Sequence, residues 1–115
     1  MKKISGKKGE DIATKFLEEK GYEVIARNYR IKRQEIDLVA KDKETYVFVE
    51  VKSRSSSDFG FPEDFVSPQQ EGRIRNAATH FLAEEGIEAK FIRFDVISIL
   101  VYEHEVEIEH FEDAF

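Results

Sequence analysis

The sequence predicts an α/β protein, bordering on α+β, in which a mixed sheet of about five strands is flanked by two helices. Two segments, 6–20 and 67–85, carry apolar residues at helical spacing. Segments rich in Val, Ile, Phe and Tyr, which are typical of strands, are 22–30, 35–41, 45–52, 90–102 and 105–111. The predicted order of elements is therefore α-β-β-β-α-β-β, and 115 residues fit one domain, 1–115.

Both predicted helices have recognisable ends. The first follows a candidate N-cap, Ser5, and ends before Gly21. The second combines Ser67 with Gln70 three residues later, which is the pattern of a capping box, and has Pro68 at its first position. These signals indicate where each helix begins, independently of its apolar stripe.

The position of the second helix predicts how the strands pair. Because this helix separates the third strand from the fourth, those two strands should pair in parallel through a right-handed crossover. The fifth strand alternates Glu with Val and Ile, which is typical of an edge strand with one solvated face.

The net charge of -6 is unevenly divided along the chain. Residues 1–40 carry ten Lys and Arg against seven Asp and Glu, residues 41–100 eight against eleven, and residues 101–115 none against six. The basic residues cluster as Lys2, Lys3, Lys7 and Lys8, and again as Arg27, Arg30, Lys32 and Arg33. These clusters are candidate contacts for phosphate groups, and a solvated charged surface explains them equally well.

The composition excludes several classes of protein. The absence of cysteine excludes disulfides and thiolate metal sites, and it suits the cytoplasm, which is the predicted location. No apolar run approaches the length of a membrane span, and no apolar stretch follows the first lysines, so neither a membrane partner nor a signal peptide is expected. His80, His104 and His110 have no triad companions and are interpreted as structural or surface residues.

Charged residues lie in the most apolar part of the predicted hairpin. A two-residue turn at 42–43, or a four-residue turn at 41–44, would place Asp37 opposite Phe48 and Glu35 opposite Glu50. One face would then hold Glu35, Asp37, Glu50 and Lys52, and the other Ile36, Leu38, Val47, Val49 and Val51. A turn of odd length would instead send Asp37 and Glu50 to opposite faces.

Carboxylates in such proximity repel each other unless a positive charge compensates them. Ligand sets made only of oxygen select hard ions such as Mg²⁺, Mn²⁺ or Ca²⁺. Glu10 lies on the apolar side of the first helix, at its start, and can join this site, although a favourable interaction with the helix dipole explains it equally. The alternative to a metal site is a salt bridge of Lys52 with Glu50 or Asp37 on a solvated face.

The spacing of Asp37, Glu50 and Lys52 resembles that of the PD-(D/E)XK, or restriction-endonuclease-like, nucleases, in which "ID" is followed by "EVK" after a helix carrying "GE". Nearly the full chain also resembles the YraN-like bacterial family. The blocks that carry this resemblance are "KGEDIATKFLEEKGYEVIARNYR", "EIDLVAKD", "VFVEVKSRSS", "FGFPEDFVSP", "RFDVISI" and "EDAF". The resemblance implies a restriction-endonuclease-like core, as in Holliday-junction resolvases.

The resemblance also implies a function, a metal-dependent nuclease that uses Mg²⁺ or Mn²⁺ to hydrolyse DNA, including branched or damaged DNA. Asp37, Glu50 and the carbonyl of Val51 would bind the metal, Lys52 would position water or stabilise charge, and Glu10 would complete the catalytic set. From the two basic clusters, independently of the resemblance, contacts with nucleic acid are expected to come from Lys7, Lys8, Arg27, Arg30, Lys32 and Arg33.

The sequence departs from the family pattern at two places. Gln34 stands where the family usually has glycine, and Gln69, Gln70 and Glu71 stand where it usually has a basic residue. A nucleic-acid-binding module without catalysis and a protein-interaction subunit that uses the acidic edge strand remain alternatives. The oligomeric state stays open and is compatible with a homodimer.

Overall fold

The computed structural model describes residues 6–55 and 66–115, which form one sheet and two helices. The elements are α1 (Gly6–Glu19), β1 (Glu23–Ile31), β2 (Gln34–Asp42), β3 (Thr45–Ser55), α2 (Pro68–Glu84), β4 (Phe91–Val101) and β5 (Val106–Phe111). The predicted fold class, α/β with the order α-β-β-β-α-β-β, is confirmed. The candidate cap Ser5 lies outside the described residues.

The five strands lie in the order β1-β2-β3-β4-β5, so neighbours in sequence are neighbours in the sheet. β3 and β4 pair in parallel, from Thr45 beside Phe91 to Ser55 beside Val101, and all other pairs are antiparallel. Because α2 supplies the crossover between β3 and β4, this parallel pair was predictable from the order of elements. β5 is an edge strand, as its alternation of Glu with apolar residues predicted.

Each face of the sheet is covered by one helix. On the α1 face, Ala13 and Leu17 pack against a layer that includes Leu38, Val49 and Ile97. The α2 face is aromatic, and its buried residues are Ile36, Val39, Phe48, Ile74, Ala77, Ala78, Phe81 and Phe94. Within the described ranges, neither helix is long and apolar enough to cross a membrane.

The start of α2 confirms one half of the predicted capping box. The hydroxyl of Ser67 accepts a hydrogen bond from the backbone N–H of Gln70 at 3.1 Å, and Pro68 is the first helical residue. The reciprocal half was predicted wrongly, because the side chain of Gln70 donates to the carboxyl of Glu50 on β3 instead. The first turn of α2 is therefore tied to the sheet through Gln70.

The register of the hairpin differs from the predicted one by two residues. Asp42 pairs with Thr45 and Val39 with Phe48, so the predicted pairing of Asp37 with Phe48, and with it that of Glu35 with Glu50, was wrong. The turn consists of residues 43 and 44, and its first residue adopts a left-handed φ of 56°, as tight hairpin turns require. A shift of two residues preserves the alternation of faces. Continued by one residue beyond Leu38 and Val49, the same register brings Asp37 beside Glu50.

The alternation of faces breaks at Asp37. Ile36 was predicted to share the face of Leu38, but it packs in the α2 cluster while Leu38 packs against α1. The ladder between β2 and β3 ends at Leu38 and Val49, whereas β2 continues to pair with β1 as far as Gln34. Asp37 therefore stands at the point where β2 separates from β3.

A buried ionic network ties the C-terminal segment to β4. The carboxylate of Asp95, which is fully buried, accepts hydrogen bonds from Arg93 at 2.8 and 2.9 Å, from His110 at 2.7 Å and from the backbone N–H of Asp113 at 2.9 Å. Burial alone would raise the pKa of Asp95, but these hydrogen bonds outweigh it and the pKa is lowered. His110 is therefore a structural residue.

Candidate functional site

Asp37 is fixed to the backbone of the neighbouring strand. Its Oδ2 accepts a hydrogen bond from the N–H of Val51 at 2.8 Å and fills the gap left where β2 separates from β3. In a β-strand the N–H and the C=O of one residue point to the same side. The carbonyl of Val51, which the family resemblance implies as a metal ligand, is therefore directed to the side on which Asp37 lies.

Three carboxylates converge on one another beside this gap. One oxygen from each of Glu10, Glu35 and Asp37 lies within 4.8 Å of the other two, and Glu10 is buried, with 8% of its surface exposed. Opposite ligands of Mg²⁺ are about 4.2 Å apart, and those of Ca²⁺ about 5 Å. The all-oxygen donor set and its spacing thus fit a hard divalent cation after small side-chain adjustments.

The carboxyl group of Glu50 meets Asp37 from β3. Burial, a hydrogen bond to Asp37 and repulsion by its charge together raise the pKa of Glu50 to about 9, against the ordinary value of 4.5. The ammonium of Lys52, 3.9 Å from Oε2 of Glu50, acts in the opposite direction. Glu50 therefore carries a proton at neutral pH, which a divalent cation could replace.

Glu10 has a similar environment and is equally buried. Burial raises the pKa of its carboxyl group, a hydrogen bond from the side chain of Asn28 opposes the change, and the charges of Asp37 and Glu35 add to it. Glu10 thus experiences repulsion from two neighbouring carboxylates. The predicted approach of α1 to the hairpin carboxylates is what the structure shows.

A pocket of about 350 Å³ opens beside Glu50, within the size range of small-ligand sites. The polar side chains that line it include Arg33, Asp37, Glu50, Lys52, Gln70 and Arg73. They come from the β1–β2 turn, from β2, from β3 and from the first turns of α2. The pocket therefore exists only in the folded sheet, where the crossover returns α2 to the end of the hairpin.

The six basic residues that were predicted to bind nucleic acid differ in their surroundings. Arg27 pairs with Asp11 on α1 at 2.5 Å, and Arg30 pairs with Glu35 at 3.2 Å. Lys7, Lys8 and Lys32 are exposed at the start of α1 and in the β1–β2 turn. Of the six, Arg33 alone lines the pocket beside Glu50.

Four residues of the site were not predicted from the sequence to belong to it, namely Glu35, Asn28, Gln70 and Arg73. Glu35 had a usable signal, because it shares the alternation of Asp37 two residues later. Gln70 was interpreted as half of a cap and as a departure from the family pattern, and Arg73 is one turn further along the same helix. Neither gives a local signal of its contact with the hairpin, because the contact depends on the crossover.

The departure from the family pattern at Gln34 has a structural explanation. Lys32, two residues earlier, adopts the left-handed conformation of the β1–β2 turn, with a φ of 55°. Gln34 is the first residue of β2, and its side-chain oxygen accepts a hydrogen bond from Asn76 on α2. The turn therefore forms without glycine at this position.

The fold and the site together define an α/β protein with a pocket at the end of a β-hairpin, lined by carboxyl groups, a lysine and two arginines. The chain belongs to the uncharacterised protein family UPF0102, whose model matches residues 9–99. This confirms the resemblance to the YraN-like family. The matched range includes Glu10, Glu35, Asp37, Glu50 and Lys52.

Curated relatives match along nearly the whole chain. A UPF0102 protein of Christiangramia forsetii is 41% identical over 110 residues, which cover 96% of this chain and 92% of the relative. A UPF0102 protein of Geotalea daltonii is 45% identical over 114 residues, covering 98% and 90%. A third, from Prosthecochloris aestuarii, is 45% identical over 116 residues, covering 96% and 91%.

Proposed function

We propose that this protein is a divalent-metal-dependent nuclease that hydrolyses phosphodiester bonds in DNA, with branched or damaged DNA as candidate substrates. The observation that carries the proposal is that the carboxyl group of Asp37 lies within 4.8 Å of those of Glu10 and Glu35 and also hydrogen-bonds that of Glu50. This arrangement of oxygen ligands suits Mg²⁺ or Mn²⁺. The family resemblance to metal-dependent nucleases supports the same assignment.

The residues of the pocket match what hydrolysis of a phosphodiester requires. The oxygen of water forms a bond to phosphorus while one ester P–O bond breaks, leaving a phosphate monoester and an alcohol. A divalent cation, when bound, neutralises phosphate charge and lowers the pKa of water. The ammonium of Lys52 supplies a second positive charge for the phosphoryl oxygens.

Two arginines favour a phosphate backbone as the ligand of this pocket. Arg33 comes from the β1–β2 turn and Arg73 from α2, and both line the pocket. Neither forms an ion pair with another residue in the part of the chain that the structure describes. Their charge is therefore available to a polyanion, which the net charge of the whole protein would repel.

Calorimetric titration with Mn²⁺ and Mg²⁺ tests the metal site without any assumption about the substrate. We expect the wild type to bind, Asp37→Ala to lose binding, and Asp42→Ala, at the other end of β2, to bind like the wild type. Cleavage is then measured on duplex, single-stranded and four-way-junction DNA with the preferred cation. A wild type that binds neither ion would refute the proposal.

A nucleic-acid-binding module without catalysis is the second candidate. The raised pKa of Glu50 favours it, because a protonated carboxyl group is a poorer ligand for a divalent cation than a carboxylate is. The two candidates predict the same DNA binding but differ in cleavage. DNA binding that depends on salt, without cleavage in Mg²⁺ or Mn²⁺ on any of the three substrates, would favour this second candidate.

A further inference from the structure

Asn28 adopts a left-handed conformation in the middle of β1, with a φ of 52°. Its neighbours pair normally with β2, Arg27 with Leu38 and Tyr29 with Ile36, so Asn28 lies across from Asp37. Asparagine is one of the few residues other than glycine that tolerate this conformation. The irregularity of β1 and the break in β2 therefore occur at the same level of the sheet.

This conformation changes which side chains of β1 reach α1. Ala26 and Tyr29 both pack with the α2 cluster, so the two residues between them are turned away from α2. Arg27 pairs with Asp11 of α1, and the side chain of Asn28 hydrogen-bonds the preceding helical residue, Glu10. Consecutive side chains of a regular strand point to opposite faces. The left-handed residue allows both to contact α1.

We propose that Asn28 is a positioning residue that holds the carboxylate of Glu10 within the group formed with Glu35 and Asp37. This inference rests on the proposed function. Glu10 needs such a partner because its buried carboxyl group has an oxygen within 4.8 Å of oxygens of both Glu35 and Asp37, two groups of like charge. The amide of Asn28 is a neutral donor, so it stabilises the carboxylate without adding a positive charge that would oppose a divalent cation.

Glycine at position 28 separates this role from a purely conformational one. Asn28→Gly keeps the left-handed backbone, which glycine adopts freely, but removes the amide. Lys43→Gly is the matched control, because Lys43 has a similar φ of 56° in the β2–β3 turn. It lies six residues from Asp37, about 20 Å at the rise of a strand.

Titration of Mn²⁺ into the full chain is the first measurement. Asn28→Gly should weaken the affinity about tenfold, the scale of effect of residues that orient metal ligands. Lys43→Gly should bind like the wild type, and thermal unfolding checks that both variants are folded. Unchanged affinity in Asn28→Gly would overturn the inference while leaving the proposed function intact.

A double-mutant cycle tests whether Asn28 acts through Glu10. In a Glu10→Gln background, Asn28→Gly should cause no further loss of Mn²⁺ affinity, because the carboxylate that Asn28 positions is absent. An equal loss in both backgrounds would also overturn the inference. If the wild type itself binds no Mn²⁺ in the same series, the proposed function is refuted. The positioning role, which rests on that function, is then refuted as well.

Discussion

The carboxylate of Asp37 accepts a hydrogen bond from the backbone N–H of Val51 at 2.8 Å, where β2 separates from β3. One side chain thus replaces a missing contact of the sheet and carries the central charge of the candidate metal site. The structural role needs only an acceptor, whereas metal binding needs an ionised oxygen. Substitutions at this position can therefore separate the two roles.

Asp37→Asn keeps the acceptor for Val51, and Asp37→Ala removes it. We expect Asp37→Ala to have a free energy of unfolding about 1 kcal/mol below that of Asp37→Asn, since a backbone N–H loses its partner. Both variants lose the same repulsive charge, so their comparison isolates the hydrogen bond. Urea unfolding at pH 7 measures it, and both should fail to bind Mn²⁺. Equal unfolding free energies would contradict this role of the hydrogen bond.

Glu50→Gln should stabilise the metal-free protein at alkaline pH. The folded-state pKa of Glu50 is about 9, above its ordinary value of 4.5, so its contribution to stability is complete below pH 4.5 and is lost as pH rises towards 9. Glutamine cannot ionise, so the variant should gain stability relative to the wild type between pH 5 and pH 9. Thermal unfolding in EDTA tests this, with Glu88→Gln as an exposed control. A difference that does not grow with pH would be inconsistent with a protonated Glu50.

Arg33→Ala and Arg73→Ala should weaken DNA binding alike for all sequences. Each should reduce the slope of log affinity against log salt by about one unit, because one phosphate contact is lost. Arg27→Ala should have a smaller effect, because that guanidinium already pairs with Asp11. Fluorescence anisotropy over a range of salt concentrations measures these slopes.

Lys90→Ala is the charge-matched control, since Lys90 pairs with Glu44 at the opposite end of β3 from the pocket. If it changes the slope as much as Arg33→Ala does, binding depends on net charge and not on the pocket. If the wild type shows no salt-sensitive binding to any DNA, the hypothesis of a protein-interaction subunit that uses the acidic edge strand β5 is favoured over that of a nuclease.

Asp95→Asn should lower the free energy of unfolding by about 3 kcal/mol at pH 7, because it leaves a charged Arg93 without its buried partner. The folded-state pKa of Asp95 lies below its ordinary value of 3.8, so this stabilisation is present above that pH and is lost as pH falls through the folded pKa. Urea unfolding should therefore show a smaller difference at pH 3. Glu112→Gln, at an exposed pair with Arg93, should cost under about 1 kcal/mol. A loss that is the same at both pH values would contradict this assignment.

The fold was largely predictable because its signals are local. Periodicity identified all seven elements, and the cap at Ser67 marked the start of α2. The order of elements was enough to predict the parallel pair of β3 and β4. The approach of Glu10 to the hairpin also followed from local information, since its place on the apolar side of α1 directs it to the sheet.

The sequence by itself predicted that Asp37, Glu50 and Lys52 would share one face if the hairpin turn was even-numbered, because any such turn preserves the alternation of side chains. It could not choose between even-numbered turns, and the structure placed the turn one residue later than the shorter predicted turn. Local sequence also could not show that the ladder between β2 and β3 stops at Leu38, since strand separation depends on packing against both helices.

Only the tertiary structure decided the remaining parts of the site. Gln70 and Arg73 reach the hairpin because the crossover returns α2 to the end of β3, a contact between residues about twenty positions apart in the chain. Asn28 reaches Glu10 because one left-handed residue redirects two side chains of β1 towards α1. The alternation of residues in a sequence predicts the face of each side chain only where a strand is regular. The site lies where the two neighbouring strands β1 and β2 are both irregular, at the same level of the sheet.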